Sequence, residues 1–231
     1  MAVDEALLHS ASQPTGRETL RFYQWSEPTL SLGYFQHHIE RNQHQASRTC
    51  DLVRRSTGGG AILHDQELTY SFTTPIGNRL SNKAAQFYEL LHDSLIEALS
   101  QLGVTCSSCP CTFKVPRQKE PFLCFQRRAP GDVICAGAKI GGSAQRRHRT
   151  ALLQHGSVLL TKSVHAPELP GIEELTGLRI SADRLISAWL PVIEQYLNLQ
   201  QKKTTCSEEE SAWAKSFVND KFGCHNWMNR R

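Results

Sequence analysis

A thiol, an amine and a stretch of bare backbone are the parts of this chain with chemical content. Cys124 stands alone in Leu123-Cys124-Phe125. A cysteine attacks as the thiolate, and a nearby cation favours that form. Lys139, Arg127 and Arg128 are the candidate cations. A buried, inert thiol fits the same tripeptide. Lys139 lies in Gly137-Ala138-Lys139-Ile140-Gly141-Gly142-Ser143-Ala144, among residues small enough for a substrate to come close. An ammonium held against a carbonyl oxygen stabilises the negative charge that develops in acyl transfer. A solvated lysine in a glycine-rich turn is the plainer alternative. In Arg54-Arg55-Ser56-Thr57-Gly58-Gly59-Gly60 the three glycines let a ligand approach, and successive N–H groups can point at it. The two arginines upstream are suited to a carboxylate or phosphate. No Gly-Lys-Ser/Thr follows, and the spacing does not fit a dinucleotide fingerprint. A flexible turn between strands is the alternative here.

Other chemistry-bearing residues are less specific. Cys106-x-x-Cys109-x-Cys111 has the look of half a zinc site. A structural zinc needs four ligands, and only Cys124 or Cys135 could complete the set, so free thiols are the simpler reading. Cys224 and His225 are adjacent and cannot easily serve each other as nucleophile and base. Ten histidines are scattered; His64 and His155 fall in strand-like runs and are placed to line a cleft or to serve as structural residues.

The elements that must position these groups follow from periodicity. Residues 2–11 have helical spacing of apolar positions. Residues 20–25 and 29–33 read as strands broken by Pro28, and 39–47 as a polar surface helix. Runs 51–55, 61–64 and 68–74 are strand-like. The clearest helix is 83–102, with Phe87, Leu90, Leu91, Leu95, Ala98, Leu99 and Leu102 on one stripe and Gly103 at its end. Residues 106–121 read as an irregular, mobile loop. Three strands follow at 132–136, 139–144 and 151–160. A helix at 181–199 should break at Pro191, and Ser207 with Glu210 forms a capping box opening a last helix to about Phe222. Strands in runs with helices between and after them indicate an α+β fold, a mixed β-sheet with flanking helices.

The motifs also occur in a telling order. FYQW-x2-PTLSLGYFQ, RRSTGGGAILHDQELTYS, LCF, GAKIGGSAQRR and LLQHGSVLL together resemble the biotin/lipoate protein ligase superfamily, most closely its octanoyltransferases of the LipM type. The resemblance covers nearly the whole chain, including the run from Phe217 to Arg231. It implies a single catalytic domain over residues 1–231, of the fold shared with biotin ligase and class II aminoacyl-tRNA synthetases. The strand with which the family usually begins has no counterpart ahead of the helix at the start of this chain.

By the same resemblance Cys124 is the nucleophile and Lys139 the residue holding the acyl carbonyl. Arg55, Gly58, Gly59, Gly60 and His64 line the acyl tunnel, opposite a wall of Gly142, Ser143 and Ala144. Cys135 lies close enough in sequence to compete for the nucleophile's role. The implied donor is octanoyl-acyl carrier protein. The implied acceptor is a lipoyl-accepting protein, either a glycine cleavage H protein or a dehydrogenase lipoyl domain. Thioester-to-amide conversion runs downhill, so neither ATP nor another cofactor is implied, nor a metal.

An ATP-dependent lipoate–protein ligase shares the glycine loop and the lysine but needs no nucleophilic cysteine. An amidotransferase moving octanoyl or lipoyl groups between carrier domains would use the same pair of residues. A non-enzymatic carrier-binding module would need neither Cys124 nor Lys139.

Composition narrows the setting. The 231 residues carry 26 Lys and Arg against 22 Asp and Glu, a net charge of +4. That suits acidic protein partners and falls short of a nucleic-acid footprint. No apolar run approaches the roughly 20 residues of a membrane span. The segment MAVDEALLHSASQ lacks the basic start of a secretory signal, so a cytoplasmic protein with reduced thiols is expected among its eight cysteines.

Overall fold

The computed structural model describes residues 1–77, 84–110 and 120–230. Helix α1 (Ala2–Ala11) comes first, then strands β1 (Thr19–Tyr23), β2 (Thr29–Leu32), β3 (Asp51–Arg54), β4 (Ile62–His64) and β5 (Glu67–Pro75). Helix α2 (Ala84–Gln101) follows, then β6 (Cys106–Ser108), β7 (Val133–Cys135), β8 (Ala138–His148) and β9 (Ala151–Leu159). Four helices close the chain: α3 (Ile172–Thr176), α4 (Ala182–Leu197), α5 (Glu208–Phe217) and α6 (His225–Met228).

The strands form a six-stranded sheet in the order β1-β5-β9-β8-β7-β6 and a three-stranded sheet in the order β3-β2-β4. Every pairing in the large sheet is antiparallel. The mixed character lies in the small one, where β2 runs parallel to β3 and antiparallel to β4.

Alternation along β5 shows how the layers are built. Leu68, Tyr70 and Phe72 face a core shared with Phe87, Leu91 and Leu95 of α2 and Trp189 of α4. Ser71, in the other phase, meets Asp4 of α1 on the opposite face. Leu8 and Ala11 of α1 pack on Ala151 and Leu153 of β9. The large sheet thus lies between α2 and α4 on one side and α1 on the other.

Several expectations change. Helix α4 runs through Pro191 without a break. A proline within a helix costs about 3 kcal/mol, but α4 buries Leu185, Trp189, Val192, Ile193 and Leu197, and that packing outweighs one lost backbone bond. The polar stretch 39–47 forms two 3-10 turns, His38–Gln43 and Gln45–Ser47, because it buries no stripe that would hold an α-helix. α5 ends at Phe217 and continues as a π-turn to Phe222, closed by the Gly223 N–H donating to the Val218 carbonyl. The irregular loop expected from Cys106 begins instead with β6, and its residues 111–119 lie outside the described residues. Lys83, expected to start α2, also lies outside them. α3 was not anticipated; five residues are too few for a periodic signal.

Candidate active site

Cys124 is placed by its neighbours. Leu123 and Phe125 are buried in the core of the small sheet with Leu30, Leu32, Ala61 and Leu63. The half-buried Cys124 between them opens a short 3-10 turn, Cys124–Gln126. Its backbone is locked to the exit of the glycine loop: the Ala61 N–H donates to the Phe122 carbonyl at 2.9 Å, and the Cys124 N–H to the Ala61 carbonyl at 2.7 Å.

Lys139 arrives from the large sheet. A two-residue turn, Ala136 and Gly137 with φ of 43° and 81°, joins β7 to β8 and sets the register of the lysine strand. The Arg128 guanidinium donates to the Gly137 carbonyl, tying this turn to the Cys124 segment. The Lys139 ammonium is 4.0 Å from the Cys124 sulfur. It also forms a 2.8 Å ion pair with Asp132, and both side chains are buried. Asp132 accepts a 2.7 Å bond from the Ala129 N–H and a 3.3 Å bond from the Tyr88 hydroxyl. Burial and the charge of Asp132 push the Tyr88 phenol upward.

The glycines have separable geometric roles. Gly59 adopts φ +96°, open to glycine at little cost, and a Cβ there would stand 3.0 Å from the Arg55 guanidinium and 3.9 Å from the Cys124 sulfur. A Cβ on Gly142 would come within 2.6 Å of the Lys139 Cε. The lysine therefore lies across the bare backbone of Gly142. Among the described residues the N–H groups of Gly58, Gly59 and Gly60 donate to no backbone carbonyl. They are the natural donors for an oxyanion beside the sulfur.

The two arginines turn inward, against the expectation of an anion site. Arg54 donates to the carbonyls of Gly33, Gln36 and Met228. Arg55 donates to those of Ser31, Gly58 and Gly60 at 2.9, 2.9 and 2.6 Å. Burial lowers the Arg55 guanidinium to about 10, with the charge of Cys124 opposing that shift. Arg55 therefore shapes the loop and contributes positive charge near the sulfur without presenting a fork to solvent.

His64 is set one step away. It is buried, stacked on Trp25 with ring centroids 4.4 Å apart, and bonded to Ser31 and Glu67, each at 2.9 Å. Ser31 Oγ also accepts from Arg55 at 3.3 Å, so His64 reaches the glycine loop through two intermediaries. Ser143 is held by His92 of α2, whose Nδ1 faces the Gly131 carbonyl at 2.5 Å and whose Nε2 lies 2.8 Å from the serine hydroxyl. A carbonyl only accepts, so Nδ1 carries the proton and Nε2 accepts from Ser143. Burial lowers the His92 imidazole to about 4, which keeps it neutral in this role. Ala144 is in register with His155 on β9. Cys135 is buried, paired in register with Cys106 across β6 and β7.

Geometry thus gathers Cys124, Lys139, Gly59 and Gly142 and leaves His64 and Ala144 further out. Asp132 is legible in the sequence only as the Asp132-Val133 strand entry, which related ligases carry as an Asn-Asp-Val-type segment, and not as a partner of Lys139. Tyr88 and His92 went unrecognised, since neither sits in a motif and both lie on a helix. Thr57, which opens the glycine loop, is bonded to His155 at 2.7 Å, and Ser56 to Glu5 of α1 at 2.7 Å. No group of three or more His, Cys, Asp or Glu side chains is arranged for a metal among the described residues, and Cys111 of the proposed zinc cluster lies outside them. A cavity of about 390 Å³ lies away from the sulfur, against α2, α4 and β6, lined in part by Asp93, Glu97, Cys106 and Tyr196. No helix among the described residues is long and apolar enough to cross a membrane.

Comparison with known proteins identifies the family and the fold. The family described as Lipoyl protein ligase A/B catalytic domain matches residues 1–168. Octanoyltransferase LipM of Brevibacillus brevis is 31% identical, over all of this chain and 94% of that protein. Octanoyltransferase LipM of Macrococcus caseolyticus is 33% identical, over 100% and 94%. Among solved structures, lipoate-protein ligase A bound with ATP superposes with a TM-score of 0.79 at 20% identity, over 98% of this chain and 91% of that one. The bi-partite lipoate protein ligase of Thermoplasma acidophilum gives 0.76 at 20%, over 99% and 90%. The structural likeness establishes the fold, and the sequence matches establish that the chain belongs to the lipoyl protein ligase A/B catalytic-domain family.

Proposed function

We propose that this member of the lipoyl protein ligase A/B family is an octanoyltransferase of lipoate assembly, with Cys124 and Lys139 as its catalytic pair. The observation that carries the mechanism is the 4.0 Å approach of the Lys139 ammonium to the Cys124 sulfur. The octanoyltransferases named LipM, similar over the whole chain, support the acyl group and the reaction class.

In the first step the Cys124 thiolate, its proton released to solvent and its charge faced by the Lys139 ammonium, attacks the thioester carbonyl of octanoyl-acyl carrier protein. The carbonyl oxygen becomes an oxyanion, stabilised by that ammonium and the N–H groups of residues 58–60. The donor C–S bond breaks, and its thiolate takes the proton from Lys139. The octanoyl-enzyme thioester remains. In the second step a lysine amine of a lipoyl-accepting domain attacks that thioester. Its proton passes to the now neutral Lys139 amine, the bond from the acyl carbon to the Cys124 sulfur breaks, and the octanoyl amide leaves with thiolate and ammonium restored. Asp132 holds the lysine in place for both transfers. The whole chain acts as one catalytic domain in this scheme.

Intact-mass analysis after incubation with octanoyl-acyl carrier protein, without ATP, tests the reading. A gain of about 126 Da, absent in Cys124→Ser, is expected for a covalent acyl intermediate. Transfer to acceptor only when free octanoate or lipoate and ATP are supplied, with no adduct, would make the protein a ligase. A donor already in amide linkage on another lipoyl-accepting domain would make it an amidotransferase.

A further inference from the structure

The C-terminal segment lies beyond the matched family region, 1–168, yet it forms the rim of the glycine loop. The Trp227 indole N–H donates to the Arg54 carbonyl at 2.9 Å, and the Arg54 guanidinium donates back to the Met228 carbonyl at 2.9 Å. This clasp sets the guanidinium of Arg230 4.2 Å over the Tyr34 ring and 5.0 Å from that of Trp227. The Tyr34 N–H in turn donates to the Thr57 carbonyl at 2.8 Å, at the start of the loop that reaches Cys124.

Arg230 is preorganised for an anion. Stacked on one aromatic ring and beside another, it has little rotamer freedom to lose, and its in-plane N–H groups point away from the ring face. Among the described residues it forms no ion pair, whereas Lys221 beside it is paired with Glu5 at 2.7 Å. Phe35 and Ile39, 48% and 70% exposed, extend the same rim, with Phe35 lying over Gly58. Arginine and aromatics around a reactive centre are the composition of an interface core.

We infer that Arg230, seated on Tyr34 and Trp227, binds the phosphodiester of the donor's phosphopantetheine arm while Phe35 and Ile39 contact the carrier protein. This deepens the proposed function and rests on it. Reach limits where that phosphate can bind. The arm from phosphorus to sulfur matches about five extended residues, ~17 Å. Arg230 is separated from the sulfur by Tyr34 and the glycine loop. A basic cluster at the β8–β9 turn, Arg147 and Arg149, stands eight and ten residues beyond Lys139, roughly 30 Å away, and nearer the sulfur Arg127 and Arg128 are tied to Glu120 and to the Gly137 carbonyl.

The test compares two donors, octanoyl-acyl carrier protein and the phosphate-free thioester octanoyl-pantetheine. In Arg230→Ala the ratio of their kcat/KM values should fall at least tenfold, chiefly through KM for the carrier. Arg230→Lys should recover only part of the loss, and Arg147→Glu should leave the ratio unchanged. An unchanged ratio in Arg230→Ala overturns the inference. So does an equal loss with both donors, which marks a structural role, or an effect confined to KM for the acceptor domain. Wild-type protein that forms no adduct with either donor would instead sink the transferase reading itself.

Discussion

Asp132→Asn removes the charge that faces Lys139 while keeping nearly the same shape. The pair is 2.8 Å long, with side-chain exposures of 5% for the lysine and 2% for the aspartate. Breaking a buried pair by removing one partner costs about 3–5 kcal/mol, because an uncompensated charge remains. The lower end applies here, since the ammonium also faces the sulfur at 4.0 Å. For a chain of 231 residues about 3 kcal/mol corresponds to a Tm lower by roughly 6–12 °C. Urea unfolding at neutral pH measures the change through the shift in midpoint at constant slope. The double variant Asp132→Asn/Lys139→Met removes both charges and should recover at least about 1.5 kcal/mol relative to the sum of the single changes. A single-variant loss below about 1 kcal/mol, or strict additivity, would refute the claim that this pair is what fixes the lysine. Transfer should fall about 100-fold in Asp132→Asn, the order expected when a catalytic group is misplaced by an ångström.

Three further outcomes follow from the same geometry. Lys139→Ala should reduce octanoyl transfer by at least about 100-fold through loss of the proton carrier, measured as single-turnover decay of the acyl-enzyme in the presence of acceptor. Gly142→Ala places a methyl group 2.6 Å from the Lys139 Cε and should lower kcat about 100-fold with a much smaller change in Tm; a fully active variant would show that the lysine does not need that space. His92 titrates near 4 when folded against an ordinary value near 6.5, so the unfolded chain binds the extra proton first. Its contribution is complete above pH 6.5 and is lost as pH falls toward 4, at about 1.4 kcal/mol per unit and about 3 kcal/mol in all. His155 is lowered by burial in the same direction. Unfolding free energies between pH 6.5 and 4 should therefore vary less steeply in His92→Gln, and an identical slope would count against this assignment.

Elements with a strong period were legible in the sequence. α1, β5 and α2 follow from where their apolar residues recur, and β8 and β9 from alternation bounded by polar turns. Pro191 misled because a local cost of one residue was weighed without the five buried side chains of α4 that offset it. Arg54 and Arg55 misled for a related reason. Two arginines beside three glycines look like an anion site, but the tight loop leaves carbonyls turned inward, and buried carbonyls need donors. Type and surroundings made Cys124 and Lys139 candidates beside plainer readings, and the family resemblance singled them out, while their partnership depends on a contact between the two sheets that no local pattern encodes. His92 was illegible for the opposite reason, a buried position on a helix where sequence suggests only packing, and Asp132 reads as a strand entry with no hint of the lysine it holds.

The charges around the sulfur explain why those hidden residues matter. Arg55 is held by carbonyls alone among the contacts of its guanidinium with backbone, so its positive charge is not cancelled there. Lys139 is cancelled by Asp132 when protonated. Arg55 thus adds beside Cys124 a positive charge that no carboxylate offsets, from a group whose position is fixed by the loop it folds. In the proposed transfer, an oxyanion forming at the acyl carbonyl would meet that charge, the loop N–H groups and an ammonium already anchored, so little reorganisation would be needed as the charge develops. Were Arg55 paired with a carboxylate, the local sum would be neutral and the advantage confined to the proton carried by Lys139. Carbonyl ligation of Arg55 and carboxylate ligation of Lys139 are therefore complementary: one leaves a field for the anion, and the other holds the residue that moves the proton.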